Sequence, residues 1–269
     1  MPGLAGGLVV AGETVWVATD SGAVRVDPAT AAVSEVIAGV TNLAFDGKRL
    51  WAGGEGLLME LDPRTGKVLQ KFTPEWNAHY VAATPDAVWA TDWSRSEVRR
   101  VDPSDGHVIA TIDVHPGPKG TTLGEGSVWI ACDGAATVVR IDTTTTKITA
   151  EIKVDSGPHS IAVGGGSVWV TNRHSSTLSK IDPATNLVVA TVNGVATSPA
   201  VGVEVGPRSV YVAFNGGVAV VDPDLAEITS RIVIGGAEFY DLKRVGNELW
   251  ASDGSSPTLF GFDLNVLGG

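Results

Sequence analysis

Two histidines, His79 and His159, hold equivalent places in two copies of an internal repeat, and carboxylates stand in nearby registers at Asp92 and Asp241. Neutral imidazole is the commonest metal ligand and the usual acid–base group near neutral pH. A catalytic role therefore falls on His79, Asp92 and His159. Trp76, Tyr80, Trp93, Lys119, Arg173 and Asp241 complete the set as ligand-binding candidates, offering rigid aromatic surface and both signs of charge. Two chemistries are open to these residues. One is plain recognition of a small molecule, a peptide or a partner protein. The other is elimination or hydrolysis by a general base helped by a divalent cation such as Mg²⁺, which prefers oxygen donors and would lean on Asp92 and Asp241. A structural role competes with each assignment, since rim tryptophans pack locally and polar residues at a channel mouth are often merely solvated.

Other reactive groups are less promising. Cys132 is the sole cysteine and lacks a CxxC partner or a run of basic neighbours, so it reads as a small buried residue. His107 and His115 fall on or beside an outer strand, and His174 falls in a loop. Gly164-Gly165-Gly166 lies between strands with no following Lys-Ser/Thr, so it is not a phosphate loop. No GxSxG elbow and no HExxH occurs.

The elements that must position these residues are read from the repeat. Anchor aromatics recur at Trp16, Trp51, Trp89, Trp129, Trp169, Tyr211 and Trp250, spaced 35 to 42 residues apart. Behind each comes an aspartate, at Asp27, Asp62, Asp102, Asp142, Asp182, Asp222 and Asp263, and five of the seven precede proline. Each unit reads as four short strands with no helical periodicity. Its innermost strand is small-residued, its second carries the anchor, its third ends in the Asp turn, and its fourth lies at the rim. Asp closes its own turn through its side chain, and Pro fixes φ. The period predicts an all-β chain: one domain over 1–269, a seven-bladed β-propeller of four-stranded antiparallel blades. Blade seven has three clear strands, with only Asn265–Gly269 left for a fourth. Two rings follow by register, both expected at the channel mouth. The first is Gly6, Thr41, His79, Lys119, His159, Val201 and Asp241. The second, three residues after each anchor, is Thr19, Gly54, Asp92, Cys132, Asn172, Phe214 and Asp253. Trp76 and Trp93 are the two tryptophans outside the anchor register, and both fall in blade three.

The stretch VWVTNRHSSTLSKIDPATNLVVATV resembles a YVTN-type propeller repeat, and the likeness extends over all seven units. In blade three, His79 followed by VWATDWSRSEVRRVD resembles the repeats of virginiamycin B lyase-like propellers. That second resemblance implies a metal-assisted elimination served by a His and by a Glu, a slot that Asp92 fills here. Blade five carries Asn172 in the same slot, so the family's neighbouring-blade arrangement is not reproduced. Propellers host many unrelated activities, so the likeness bears on fold far more than on function.

A net charge of −11 argues against nucleic acid or an anionic membrane surface as partner, because phosphate binding needs clustered Lys and Arg. No apolar run is long enough to span a bilayer. The start MPGLAGGLVV lacks the basic n-region of a signal peptide, which leaves either a cytosolic protein or a mature fragment with an added Met.

Overall fold

The aspartate turns explain why the chain keeps folding back on itself. In Asp27, Asp62, Asp142 and Asp222 one carboxylate oxygen accepts the backbone N–H groups of the second and third residues onward. Four residues after the Asp the backbone turns left-handed, at Ala31, Gly66, Gly106, Thr146, Asn186 and Ala226. In this structure, a computed structural model describing residues 5–196 and 199–265, those turns link strands throughout. Its one helical element among the described residues is a single 3₁₀ turn, Asp133–Ala135.

Consecutive strands pair antiparallel. The first sheet has three strands, Ala5–Ala11, Thr14–Thr19 and Gly22–Val26, and isolated bridges tie Val33 and Ile37 to its outer strand. Sheets two to five have four strands each and begin with the inner strands Asn42–Phe45, Tyr80–Thr84, Pro118–Gly124 and Pro158–Gly164.

The seven-bladed expectation is corrected: the structure has six blades. The sixth sheet has five strands, Ala200–Val205, Val210–Asp222, Glu227–Val245, Glu248–Asp253 and Leu259–Asp263. Its strand Glu227–Val245 runs for 19 residues and serves as the outer strand of the sixth repeat unit and the inner strand of the seventh. The Gly235-Gly236 pair, which reads as a break in the sequence, sits inside that strand. Pairing of Asn215 with Glu238 carries the ladder across it. The uniform four-strand expectation fails with the count, since the sheets have three, four or five strands. A closing strand expected at Asn265–Gly269 falls on 266–269, outside the described residues.

Packing between neighbouring sheets supplies the core. Trp16, Trp51, Trp89, Trp129, Trp169 and Tyr211 are fully or almost fully buried, each within a cluster drawn from two adjacent repeats. Trp250 departs from the pattern: it is partly exposed, and its indole N–H donates to Glu248 at 3.0 Å. Trp89, Trp129 and Trp169 each lie opposite a cation on the next strand, Arg100, Arg140 and Lys180, whose charge stands 4.7 to 5.7 Å from the ring centroid. The ring closes by packing of Leu8, Val15 and Val17 with Val245 and Leu259, and by the Leu8 N–H donating to Asp241 at 2.8 Å.

Candidate functional site

Every inner strand turns one side toward a central cavity of about 950 Å³. In sheets one, four, five and six, what aims side chains into it is a recurring defect. In sheet four, Pro118 pairs with Cys132 and Thr121 with Ile130, so three steps on the inner strand oppose two on its partner. The same slip separates Pro158 from Ile161, Ala200 from Val203 and Ala5 from Leu8, and a one-residue slip separates Phe239 from Asp241. A bulge of this kind turns a side chain out of its regular alternation. Lys119, His159, Val201 and Tyr240 occupy these bulges, and all four line the cavity. Gly120 makes the close approach possible, because a Cβ there would stand 2.3 Å from the His159 carbonyl oxygen.

Six members of the first expected ring, Thr41, His79, Lys119, His159, Val201 and Asp241, line this cavity. In the seventh repeat the bulge residue is Tyr240, one place before Asp241. The second ring is not at the mouth. Thr19, Gly54, Asp92, Cys132, Asn172, Phe214 and Asp253 are all buried behind the wall. Burial pushes the Cys132 thiol up to about 12, which leaves it protonated and inert.

Asp92 shows what this rear ring does. Its side chain is fully buried and accepts Ser94 Oγ–H at 2.5 Å and the Asn77 N–H at 3.1 Å, with Arg99 3.5 Å away. Burial pushes its carboxyl upward, but hydrogen bonds from Ser94 and Asn77 and the charges of His79 and Arg99 outweigh it and hold the group below its ordinary value. Asp253 repeats the device, accepting from Glu238 N–H, Ser255 and Ser256. These are fasteners for the loops that enter and leave the wall. The structure therefore does not bring Asp92 to the cavity. Trp76 is also withdrawn from it: 9 % exposed, the ring packs with Trp51 and Val81 and lies 5.1 Å from the Arg99 guanidinium.

His79, Tyr80, Trp93, Lys119, His159, Arg173 and Asp241 do converge on the cavity. His79 Nε2 accepts the Trp93 indole N–H at 2.5 Å, with the two rings edge to face. That bond holds Trp93 at the rim although the residue is 53 % exposed. Burial lowers the His79 pKa, and the Asp92 and Glu55 charges only partly restore it. His159 is 8 % exposed, and its Nδ1 has no hydrogen-bond partner. Burial, followed by the nearby Lys119 and Arg173 charges, brings its pKa down to about 4, so the ring is neutral at physiological pH. Lys119 Nζ donates to Asp133 at 2.6 Å.

Several wall residues escaped the sequence reading. Tyr240 packs edge-on against His159, ring centroids 6.0 Å apart. Burial raises the pKa of both Tyr80 and Tyr240, and their shared hydrogen bond raises Tyr80 further while lowering Tyr240. Tyr80 is thus the donor, and the Tyr240 O–H remains able to donate. Glu204 and Lys243 form a 2.9 Å ion pair on the same wall. The one signal for Tyr240 was its adjacency to Asp241 in the sequence.

The donor set does not suit a divalent cation at the mouth. Asp92 lies behind the wall, and the Asp241 oxygens accept the Leu8 N–H at 2.8 Å and the Leu242 N–H at 2.9 Å. Among the described residues the close cluster of possible ligands is Asp102, Asp105 and His107, on the turn that joins the third and fourth strands of sheet three, outside the cavity lining. Its carboxylates are used by Ser104 and by His107 within that turn.

No protein-family model matches the sequence, and no curated protein is similar to it in sequence. Solved structures are similar in fold. Hydrazine synthase of Kuenenia stuttgartiensis aligns with a TM-score of 0.77 at 18% identity, over 86% of this chain and 78% of that one. The WD40 β-propeller domain of Doa1 aligns at 0.76 and 11% identity, over 94% and 91%. BamB of Moraxella catarrhalis gives 0.67 and 16%, over 93% and 80%. At these identities the likeness speaks for the fold alone: this chain is a β-propeller.

Proposed function

We propose that this protein is a non-catalytic propeller of the YVTN-repeat type that binds a small molecule in the mouth of its central channel. The observation that carries the reading is convergence. Seven chemically varied side chains, drawn from four of the six blades, meet on one cavity of about 950 Å³, a volume suited to a small ligand. The repeat's structural tasks, anchoring and turn closure, are done elsewhere, by the buried aromatics and the Asp turns. A metal-assisted lyase of the virginiamycin B type has less support, because the carboxylates it would use are committed to backbone N–H groups.

The test is ligand-observed NMR with a set of small polar and aromatic fragments, repeated on Thr41→Trp. Thr41 is exposed and lines the cavity, so the larger side chain fills the mouth without entering the core. Fragments should bind the parent and be lost from the variant at unchanged melting temperature. Absence of binding at millimolar fragment, or binding indifferent to Thr41→Trp, overturns the reading. Calorimetry with Mg²⁺ covers the alternative: binding lost in both His79→Ala and Asp92→Asn, at unchanged stability, would favour the lyase.

A further inference from the structure

We propose that the ligand of this mouth is a planar organic anion, its charged group held between Arg173 and His159 and its ring laid on Trp93. The inference rests on the binding reading above and adds the class of ligand.

Charge is the first ground. In a chain of net charge −11, two of the four cations on the cavity wall are spoken for: Lys119 is paired with Asp133, and Lys243 with Glu204, which leaves Arg173 and Arg244. Arg173 is the one of these two whose charge acts on His159. Among the described residues no carboxylate forms an ion pair with Arg173, and its side chain is exposed on the cavity wall. Its backbone N–H donates to the Gly157 carbonyl at 2.7 Å, which fixes the residue in place. A guanidinium presents two parallel donors that match a carboxylate or phosphate.

The second ground is independent of charge. His159 is more than nine-tenths buried, lies on the cavity wall, and has an unpartnered Nδ1. Buried polar atoms without a partner are rare, and a bound ligand supplies what is missing. The ring sits in the combined field of Lys119 and Arg173. A backbone hydrogen bond with Val201 favours the charged ring, and the Val201 carbonyl also receives the Thr171 hydroxyl at 2.9 Å. Beside an anion the charged ring is favoured, and its Nδ1–H donates. The Tyr240 O–H, on the ring packed against His159, is a third donor to the same region.

Shape is the third. The Trp93 indole is fixed by its N–H bond to His79, yet half of its surface is open. A tryptophan clamped at its edge and bare over the rest is a preorganised stacking surface. A cationic ligand finds no such welcome, because the Asp241 oxygens already serve Leu8 and Leu242.

Four probes that share one ring decide the matter in calorimetric and fluorescence titrations of the full chain: 2-naphthoate, 2-naphthyl phosphate, neutral 2-naphthamide and cationic 2-naphthylmethylammonium. Either or both anions should bind about tenfold or more tightly than the amide and the ammonium, as hydrogen bonds to a charged group suggest. Arg173→Gln should erase that margin while leaving the amide unaffected, and Trp93→Ala should weaken every probe that binds. The carboxylate-to-phosphate ratio reports which anionic group the site prefers. If the amide or ammonium binds as well as the anions, or Arg173→Gln leaves the margin intact, the anion inference falls while the channel remains a binding site. If none of the four binds but fragments still occupy the channel, this inference alone fails. If nothing binds, the binding reading fails with it.

Discussion

The cavity wall and the layer just behind it carry the same kinds of residue and put them to opposite use. On the wall, His159 keeps a ring nitrogen unpartnered, Arg173 has no ion pair among the described residues, and Trp93 shows half its surface. One layer back, Asp92, Asn172 and Asp253 are buried, and each holds a neighbouring loop or strand. The difference lies in the backbone. Lys119 and His159 sit in bulges of the inner strands, and Trp93 and Arg173 stand just past the end of a second strand. Asp92, Asn172 and Asp253 are instead the last residue of that strand, three positions after an anchor aromatic. Residue type alone does not distinguish ligand chemistry from scaffold chemistry in this fold. Position along the strands does.

The largest effect expected of this division is on the anchors that hold the rear ring. Trp169 is fully buried between the fifth and sixth sheets, with Val195, Val203 and Phe214 around it. Trp169→Ala should cost about 3–5 kcal/mol by lost packing and an unfilled cavity. Trp250→Ala should cost distinctly less, since that ring is partly exposed. Equal losses in chemical denaturation would mean that the seventh repeat packs like the others.

Next comes the rear ring itself. Asp92→Ala strips a buried partner from Arg99 and the Asn77 N–H, at an expected cost of about 2–4 kcal/mol. Arg99 keeps its contact with Glu97, which limits the damage. Were Asp92→Ala to melt with the parent while abolishing ligand binding, the assignment of Asp92 to the scaffold would be overturned.

Acid should then pick out a wall residue. His159 has a folded pKa of about 4 against an ordinary value of 6.5. Between those values the unfolded chain takes a proton that the folded protein refuses. Stability is therefore complete above pH 6.5 and falls as the pH drops toward 4, by up to about 3 kcal/mol. His79 is shifted the same way and steepens the fall, while Asp241, whose carboxyl burial pushes up, opposes it. The lowered carboxylates Asp92 and Asp253 lose their contribution below pH 4, outside this window. Comparing His159→Gln with the parent isolates the one ring: the variant's stability should be flatter from pH 6.5 to 4.5. An unchanged slope would mean that the His159 site is open to solvent.

Much of this architecture was legible because its determinants are local. The Asp turns work through an aspartate and the two N–H groups that follow it, so their period was readable, as were the anchors and the register of the first ring. Two things were not. Pairing between strands decides which register faces the cavity, so the sequence put both rings at the mouth and did not reveal that the second, Asp92 included, stays behind. Blade count failed for a related reason. Gly235-Gly236 has the composition of a turn, yet cross-strand pairing draws it into one long strand and merges two units. Trp76 and Trp93 look alike in sequence. Only the seat of Trp76 beneath Arg99 separates them.

The smallest expected effect is the sharpest test, because it concerns adjacent residues. Asn172 is fully buried at the end of Ser167–Asn172, and its amide donates to Thr177 at 3.0 Å and Ser179 at 2.9 Å. Arg173, the next residue, is exposed on the cavity wall. Asn172→Ala leaves two buried hydroxyls short of a donor but also removes an Oδ1 that has no partner of its own, so its cost should be modest, about 1–2 kcal/mol. Arg173→Gln breaks no side-chain hydrogen bond or ion pair seen among the described residues and should stay within about 0.5 kcal/mol of the parent. Urea denaturation of the two variants gives the comparison directly. A stability loss in Arg173→Gln as large as that in Asn172→Ala would place the guanidinium in the scaffold and end the separation of the two layers at the point where they meet.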